Sequence, residues 1–370
     1  MMLRWAWKTL IRQRGGLFGS AGGLAGAFIL VIFFSAVFRG EATQIVAYLE
    51  NTRPDIWVMQ RGVSNMHMAT SFVYDWKADK IARLPGVKRV TPIVYLNTIV
   101  HAGDQDAFSF IVGLQEGSSR AGPWALAGGR SQLHSGETVI PEVLSKLSGV
   151  GIGDSVTITD RSFKIVGLSE ETYSMANSVT FVSMSDLTDI LSAFGTYSYL
   201  LVDLEEGIDA RGFTKTIMDE IEKVNAMTHG DFVRSDFALG MMMGGEIIFM
   251  MTVICSGLAV LILGFTSYTQ VMRKRRELAI AKAVGIRNLF LYTAVVFHAM
   301  VITLLALLLT GIFAIVFFPF ISTLVPQVTL VVSIGDLAGM AVVAIIVAAI
   351  SALIPAYLVS RLDPATVFQV

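Results

Sequence analysis

Asp203, Glu205, Glu206 and Asp209 form an acidic cluster of side chains able to do acid–base chemistry. Paired carboxylates become catalytic when their surroundings push their proton affinities apart. This acidic run reads instead as a solvated turn. His67, His101, His134 and His229 are scattered, with no HExxH or comparable ligand spacing, so no metal site is expected. The serines lack a G-x-S-x-G setting. The single cysteine, Cys255, lies in an apolar run, where it reads as a small apolar side chain. His298 is the one histidine deep inside an apolar stretch, and with no acidic partner there a proton relay has nowhere to hand its proton. The expectation is no catalytic residue and no metal ligand, with the long central region a binding or docking module.

The elements around these residues explain the lack of chemistry. The chain is 54% hydrophobic and only 15% charged, whereas soluble domains carry roughly a quarter charged residues. A net charge of -1 excludes a nucleic-acid binder, because nothing would neutralise a phosphate backbone. A helix needs about 20 apolar residues to cross a hydrocarbon core about 30 Å thick. Four stretches, 17–38, 247–272, 289–333 and 337–360, meet that length without any Asp, Glu, Lys or Arg. Pro319 and Pro326 predict the exit of the third. The predicted spans are therefore 17–38, 246–272, 289–318 and 337–360, with 319–336 a short external loop. The first is expected to stay as an uncleaved anchor, since its apolar run exceeds that of a signal peptide.

Positive charge in short flanks sets orientation. Arg4, Lys8, Arg12 and Arg14 precede the first span, and Arg273, Lys274, Arg275, Arg276, Lys282 and Arg287 lie between the second and third. Both termini and this loop are thus expected in the cytoplasm of a multi-pass protein of the bacterial inner membrane, with 39–245 outside and 361–370 a cytoplasmic tail. Trp5 and Trp7 beside the basic residues predict an interfacial helix over 1–16. Gly19, Gly22, Gly23 and Gly26 form small-xxx-small pairs that let helices approach closely, expected here within the bundle, with a dimer contact as the alternative.

The external region reads as a mixed α+β domain. Runs rich in β-branched and aromatic residues at 55–59, 89–100, 108–112, 155–159, 163–167 and 178–182 predict strands. Ile208, Phe213, Ile217, Ile221 and Val224 recur at roughly helical spacing and predict an amphipathic helix.

The loop at 273–288 is too polar to span, and Leu278, Ala279, Ala281, Lys282 and Ala283 favour a helix that Gly285 would end. Its form, Arg-Lys-Arg-Arg-Glu-Leu-Ala-Ile-Ala-Lys-Ala-Val-Gly-Ile, resembles the loop of permease subunits in MacB/FtsX/LolC-type (type VII) ABC transporters. Pro355-Ala-Tyr-Leu-Val-Ser-Arg361-Leu-Asp363-Pro364 resembles the close of the family's fourth span, and Gly151-Ile-Gly-Asp-Ser-Val-Thr-Ile158 its external domain. The resemblance implies an FtsX-like permease domain of four transmembrane helices, with a MacB-like periplasmic core domain inserted between the first and second. It implies that Arg273, Arg275, Arg276, Glu277, Ile280, Lys282, Ala283 and Gly285 dock on an ATPase. Pro355, Arg361, Asp363 and Pro364 would fix the cytoplasmic end of the fourth span. Because the chain has no G-x-x-x-x-G-K-[ST] phosphate loop, ATP and Mg are expected on a separate cytoplasmic ABC ATPase subunit, present in two copies, and not on this chain. A second permease copy or paralogue completes the assembly, the lipid membrane surrounds it, and there is room for a periplasmic membrane-fusion adaptor. The implied activity is mechanotransmission: ATP-driven movement of the external domain that exports or extracts a lipid, lipoprotein, glycolipid or peptide. The alternative is an FtsX-like transmitter that activates an external partner and moves nothing.

Overall fold

The computed structural model describes residues 14–118, 120–174, 178–273 and 275–360. Most of the interfacial segment expected at 1–16, including Trp5 and Trp7, lies outside them, as do Arg361, Asp363 and Pro364. The chain divides into two compact units, one mixed α/β and built on Gly40–Glu246 with Val325–Thr329, the other helical.

The α/β unit starts within α1 (Arg14–Ile45) and continues through α2 (Ala47–Thr52) into β1 (Ile56–Gln60). A short β2 (Val73–Tyr74) leads to α3 (Asp75–Ala82) and the long β3 (Val87–Ala102). After β4 (Gln105–Leu114), β5 (Leu126–Gly129), β6 (Glu137–Pro141), α4 (Glu142–Ser148), β7 (Ser155–Ile158), β8 (Arg161–Ser169), β9 (Ser178–Ser183) and α5 (Met184–Leu191), the chain returns along β10 (Thr196–Tyr197) and β11 (Tyr199–Leu204). It closes with α6 (Ala210–Glu220), β12 (Val224–Thr228) and α7 (His229–Gly240).

The strand order β12-β1-β11-β3 is a split β-α-β arrangement in which α3 and α6 are the crossovers. Ile81, Ile217 and Ile221 pack on the same apolar cluster as Ile56, Val58, Leu200 and Val202. The opposite-facing Trp57, Met59, Tyr199 and Leu201 share a cluster with Tyr48 and Leu49 of α2 and Phe232 of α7. The sheet is therefore covered on both faces. β3 is long enough to serve two structures: Val87–Ile93 pairs with β11, and Val94–Ala102 pairs with β4. From β4 the pairing runs through β9, β6 and β8 to β7, which returns to β3 at Val100 and His101. That ring is closed, and closure removes exposed edges. Val100, Ile111, Ile140, Ile158, Phe163 and Ile165 fill one cluster associated with it.

All six predicted strands are present, with ends that differ by at most three residues. The amphipathic helix is shorter than its apolar pattern predicts. Asp209 caps it by accepting from Gly212 N at 2.8 Å, and it ends at Glu220, so Ile208 precedes it and Val224 belongs to β12. Lys223 at φ 58 turns the chain between the two.

In the helical unit, α8 (Glu246–Arg273), α9 (Arg275–Ala283), α10 (Asn288–Leu324) and α11 (Ile334–Ser360) join α1. A π-helical turn, Met241–Gly245, precedes α8. Helices α1, α8, α10 and α11 are each long and apolar enough to cross a membrane. The 37 residues of α10 would extend about 55 Å at 1.5 Å per residue, well beyond a hydrocarbon core of about 30 Å. Pro319 lies inside α10, and the helix runs on past it. Proline removes one backbone donor, so the carbonyl of Ile315 loses its helical partner. Ser322 and Thr323 donate to Phe318 O and Pro319 O at 3.1 and 3.0 Å, and the helix continues to Leu324.

The glycine pairs are a second correction. Bundle packing on α1 is made by Ala21, Leu24, Ala25 and Phe28 against Ala259, Leu263, Ile302, Ala306 and Ala348. Gly19, Gly22, Gly23 and Gly26 are exposed, and a methyl group at any of them would meet nothing within 4 Å. Alanine and leucine already fill the contact, so the glycine stripe faces away from this chain's own helices.

Candidate functional site

The candidates of the 273–288 loop are organised by α9. Glu277 lies in its first turn and Lys282 in its last, each matched to the helix dipole. Gly285 has φ +90, a left-handed conformation that glycine adopts without steric cost. Its N–H donates to Lys282 O at 2.9 Å, and Val284 N donates to Ile280 O at 3.1 Å, which closes the helix. Side chains three and four apart share a helix face. Arg276, Glu277, Ile280, Ala283 and Val284 follow that spacing and are all exposed, Ile280 to 41% and Val284 to 80%. The helix also contacts α11. Nearby, Val271, Leu291, Val295, Ala299 and Ala352 form a buried cluster with Met272, Ile286 and Tyr292 against it. The loop's root is thus packed while an amphipathic stripe is left open.

Of the other sequence candidates, Arg273 ends α8 and is exposed, Arg275 opens α9, and Lys282 is half-buried and engaged. Pro355 falls within α11, while Arg361, Asp363 and Pro364 lie outside the described residues. At the far end of α1, Arg39 grips Asp336 of α11 through two bonds of 2.7 and 2.5 Å. Among the described residues no group of His, Cys, Asp and Glu could hold a metal ion.

In the acidic run Glu205 and Glu206 lie exposed at the turn after β11, while Asp203 and Asp209 are engaged. Asp203 is 14% exposed and receives Arg89 at 2.6 Å and Arg120 at 2.7 Å, one on each oxygen. Asp209 is spent on capping α6. His229 accepts from Trp57 Nε1 at 3.3 Å on Nδ1. Burial lowers its pKa, with Glu50 working in the opposite direction.

One buried polar constellation was not legible from spacing. The side chains of His67 and Asp236 are 0% and 2% exposed and meet at 2.8 Å. Around them, the hydroxyls of Tyr95 and Tyr199 donate to Met66 O and Asn65 O, each at 2.8 Å. Burial pushes both phenols well above their ordinary range, so both remain donors. A separation of 169 residues between His67 and Asp236 leaves no local pattern to find.

Comparison with known proteins bears on the whole arrangement. Residues 17–219 match the MacB-like periplasmic core domain and residues 249–364 the FtsX-like permease C-terminal domain. Uncharacterized ABC transporter permeases of Mycobacterium bovis and Mycobacterium tuberculosis are 21% identical over 341 residues, which cover 92% of this chain and 92% of theirs. The periplasmic region of MacB from Actinobacillus actinomycetemcomitans aligns with a TM-score of 0.37 and 12% identity, over 49% of this chain and 91% of that one. The extracellular domain of the transporter YknZ from Gram-positive bacteria aligns with a TM-score of 0.36 and 14% identity, over 47% and 99%. The first domain match alone spans more than half of the chain, and the second takes in the three later apolar helices. The chain belongs to the MacB/FtsX-type family of ABC transporter permeases.

Proposed function

We propose that this permease converts ATP hydrolysis into movement of its external domain, and that the movement exports or extracts a lipid, lipoprotein, glycolipid or peptide at the outer face of the membrane. An ABC permease works with a partner ATPase. In this reading that partner is a separate cytoplasmic subunit in two copies, carrying ATP and Mg, and α9 is where it docks. The supporting observation is the open stripe on α9: Ile280, Ala283 and Val284 are apolar yet uncovered by this chain, beside the charged Arg276 and Glu277. A short amphipathic helix of this kind fits a groove.

The spans suit levers more than a pore. Buried hydroxyls among them bond back to their own helices, Thr303 to Ala299 O at 2.9 Å and Thr310 to Ala306 O at 2.8 Å, with Thr310 also reaching Ala25 O of α1 at 3.3 Å. Intramembrane ionisable groups would mark a pathway, and the described spans line none up. The open glycine stripe on α1 supports a second permease copy or paralogue there. A periplasmic membrane-fusion adaptor belongs to the exporter form of this reading. Both termini are cytoplasmic in the inner membrane.

Co-purification tests the docking. The permease retrieves its ATPase, whereas Glu277→Arg and Gly285→Trp lose it. Retrieval and ATPase stimulation unchanged in both variants would reject the docking role. For the topology, a cysteine at Ser118 is labelled only from outside and one at Asn288 only from inside. Labelling from the opposite side at either position would overturn the orientation.

A further inference from the structure

The loop 61–72, between β1 and β2, is held from two directions. From the sheet, Tyr95 O–H donates to Met66 O at 2.8 Å and Asn97 Nδ2 to His67 O at 3.1 Å, while Tyr199 O–H reaches Asn65 O and Ala69 O at 2.8 and 3.2 Å. From α7, a single carboxylate takes hold. Asp236 Oδ1 accepts Met66 N at 2.6 Å and His67 N at 3.2 Å, and its Oδ2 lies 2.8 Å from His67 Nδ1. The imidazole stands edge-on to Phe110 at 4.9 Å.

A buried carboxylate is costly unless each lone pair finds a donor. Here the donors are supplied by one loop, so the contact is directional and cannot slide as an apolar one would. The far end of α7 is equally constrained. A methyl group on Gly240 would run into Ile45 at the end of α1 and come within 3.1 Å of His67 Nε2. Directly after Gly240 comes the π-helical turn, where Gly244 leaves helical dihedrals (φ 168, ψ -22) before α8 begins. Bending is thereby concentrated past α7, and α7 with Asp236 moves as one piece.

We infer that Asp236 and His67 are positioning residues that make the loop 61–72 follow α7. A stroke arriving along the second span would then emerge at Met68, which is 71% exposed, and at the neighbouring exposed Phe72, Tyr74 and Trp76. This inference rests on the coupling reading above and adds the joint through which the external domain receives the motion.

The test uses the complete permease–ATPase complex in lipid nanodiscs, with Cys255→Ala removing the native thiol. Spin labels are placed at Met68→Cys and, separately, at Arg234→Cys on the exposed side of α7. Spectra are compared without nucleotide and with ATP trapped by vanadate. Both reporters are expected to change on trapping. In Asp236→Ala the Met68 response is lost and the Arg234 response is kept, with the thermal midpoint recorded to show a folded domain. His67→Asn, whose amide nitrogen can stand where Nδ1 does, retains the Met68 response, and His67→Leu loses it. That second pair decides the question if Asp236→Ala does not fold. A Met68 response that survives Asp236→Ala or His67→Leu overturns the joint. So does a parent complex in which Arg234 responds and Met68 does not, which leaves the coupling reading standing. Silence at both positions defeats both.

Discussion

In the α/β unit, Trp57, Phe181, Tyr199 and Phe232 have no exposed surface, whereas on α8 Ile254, Leu261 and Phe265 are about 70% exposed. The first region holds itself together with interlocked aromatics, among them Trp57 stacked on Phe232 at 4.9 Å. It adds polar clamps of fixed geometry, Arg89 and Arg120 on Asp203 and His67 on Asp236. The second is built from alanine and leucine contacts with few directional bonds, and its outward surface is apolar. A lipid solvent removes the hydrophobic drive between helices, which leaves van der Waals packing to hold the spans. The α/β unit is the one held by directional and interlocking contacts, as the proposed mechanism asks of a domain that is to be moved whole.

The largest expected effect falls on the aromatic side of that contrast. Phe232→Ala empties the stack on Trp57 and should cost about 3–5 kcal/mol of external-domain stability, read by denaturant unfolding. A cost under about 1 kcal/mol would mean that the stack is not the organising contact. Next comes the bundle. Ala348, fully buried in the helical cluster, has no room for leucine, and Ala348→Leu should destabilise by about 1–3 kcal/mol. Thermal unfolding in detergent measures it.

A smaller effect is pH-dependent. Burial holds the His229 pKa below its ordinary value near 6.5, so the unfolded chain takes up the proton first. Stability is full above about pH 6.5 and falls as the pH drops through the lowered folded value. Thermal midpoints between pH 7.5 and 5.5 should decline, and decline less in His229→Gln. An identical decline in both would assign the slope elsewhere. The smallest effect is Gly22→Leu, which meets nothing in this chain and should change its unfolding by less than about 0.5 kcal/mol. Where a second permease packs on that stripe, the same variant weakens the pair, so cross-linking yield separates the two.

Legibility in the sequence followed the same division. The four spans were plain because twenty apolar residues have few other uses, although the helix carrying Pro319 runs on past it. Strands with β-branched runs, such as Phe163 to Gly167, could be read locally. Tyr199–Leu204 is buried along nearly its whole length and so lacks the alternation that marks a half-exposed strand. Val224 continued the spacing of the preceding helix and was misread for that reason. The loop stripe was legible because its residues are neighbours on one helix. The joint was not, because His67 and Asp236 are brought together only by the completed fold.

Coupling between the cytoplasmic loop and the external domain is tested most directly by one measurement. A spin label at Arg234→Cys, in the Cys255→Ala background, is followed in nanodiscs as ATP is bound by the assembled complex. It is then repeated with Ile280→Arg on α9, which leaves the external domain untouched. The expected result is an ATP-dependent spectral change in the parent complex that disappears in the variant. An equal change in both, or none in the parent, would contradict the transmission of motion from α9 to α7.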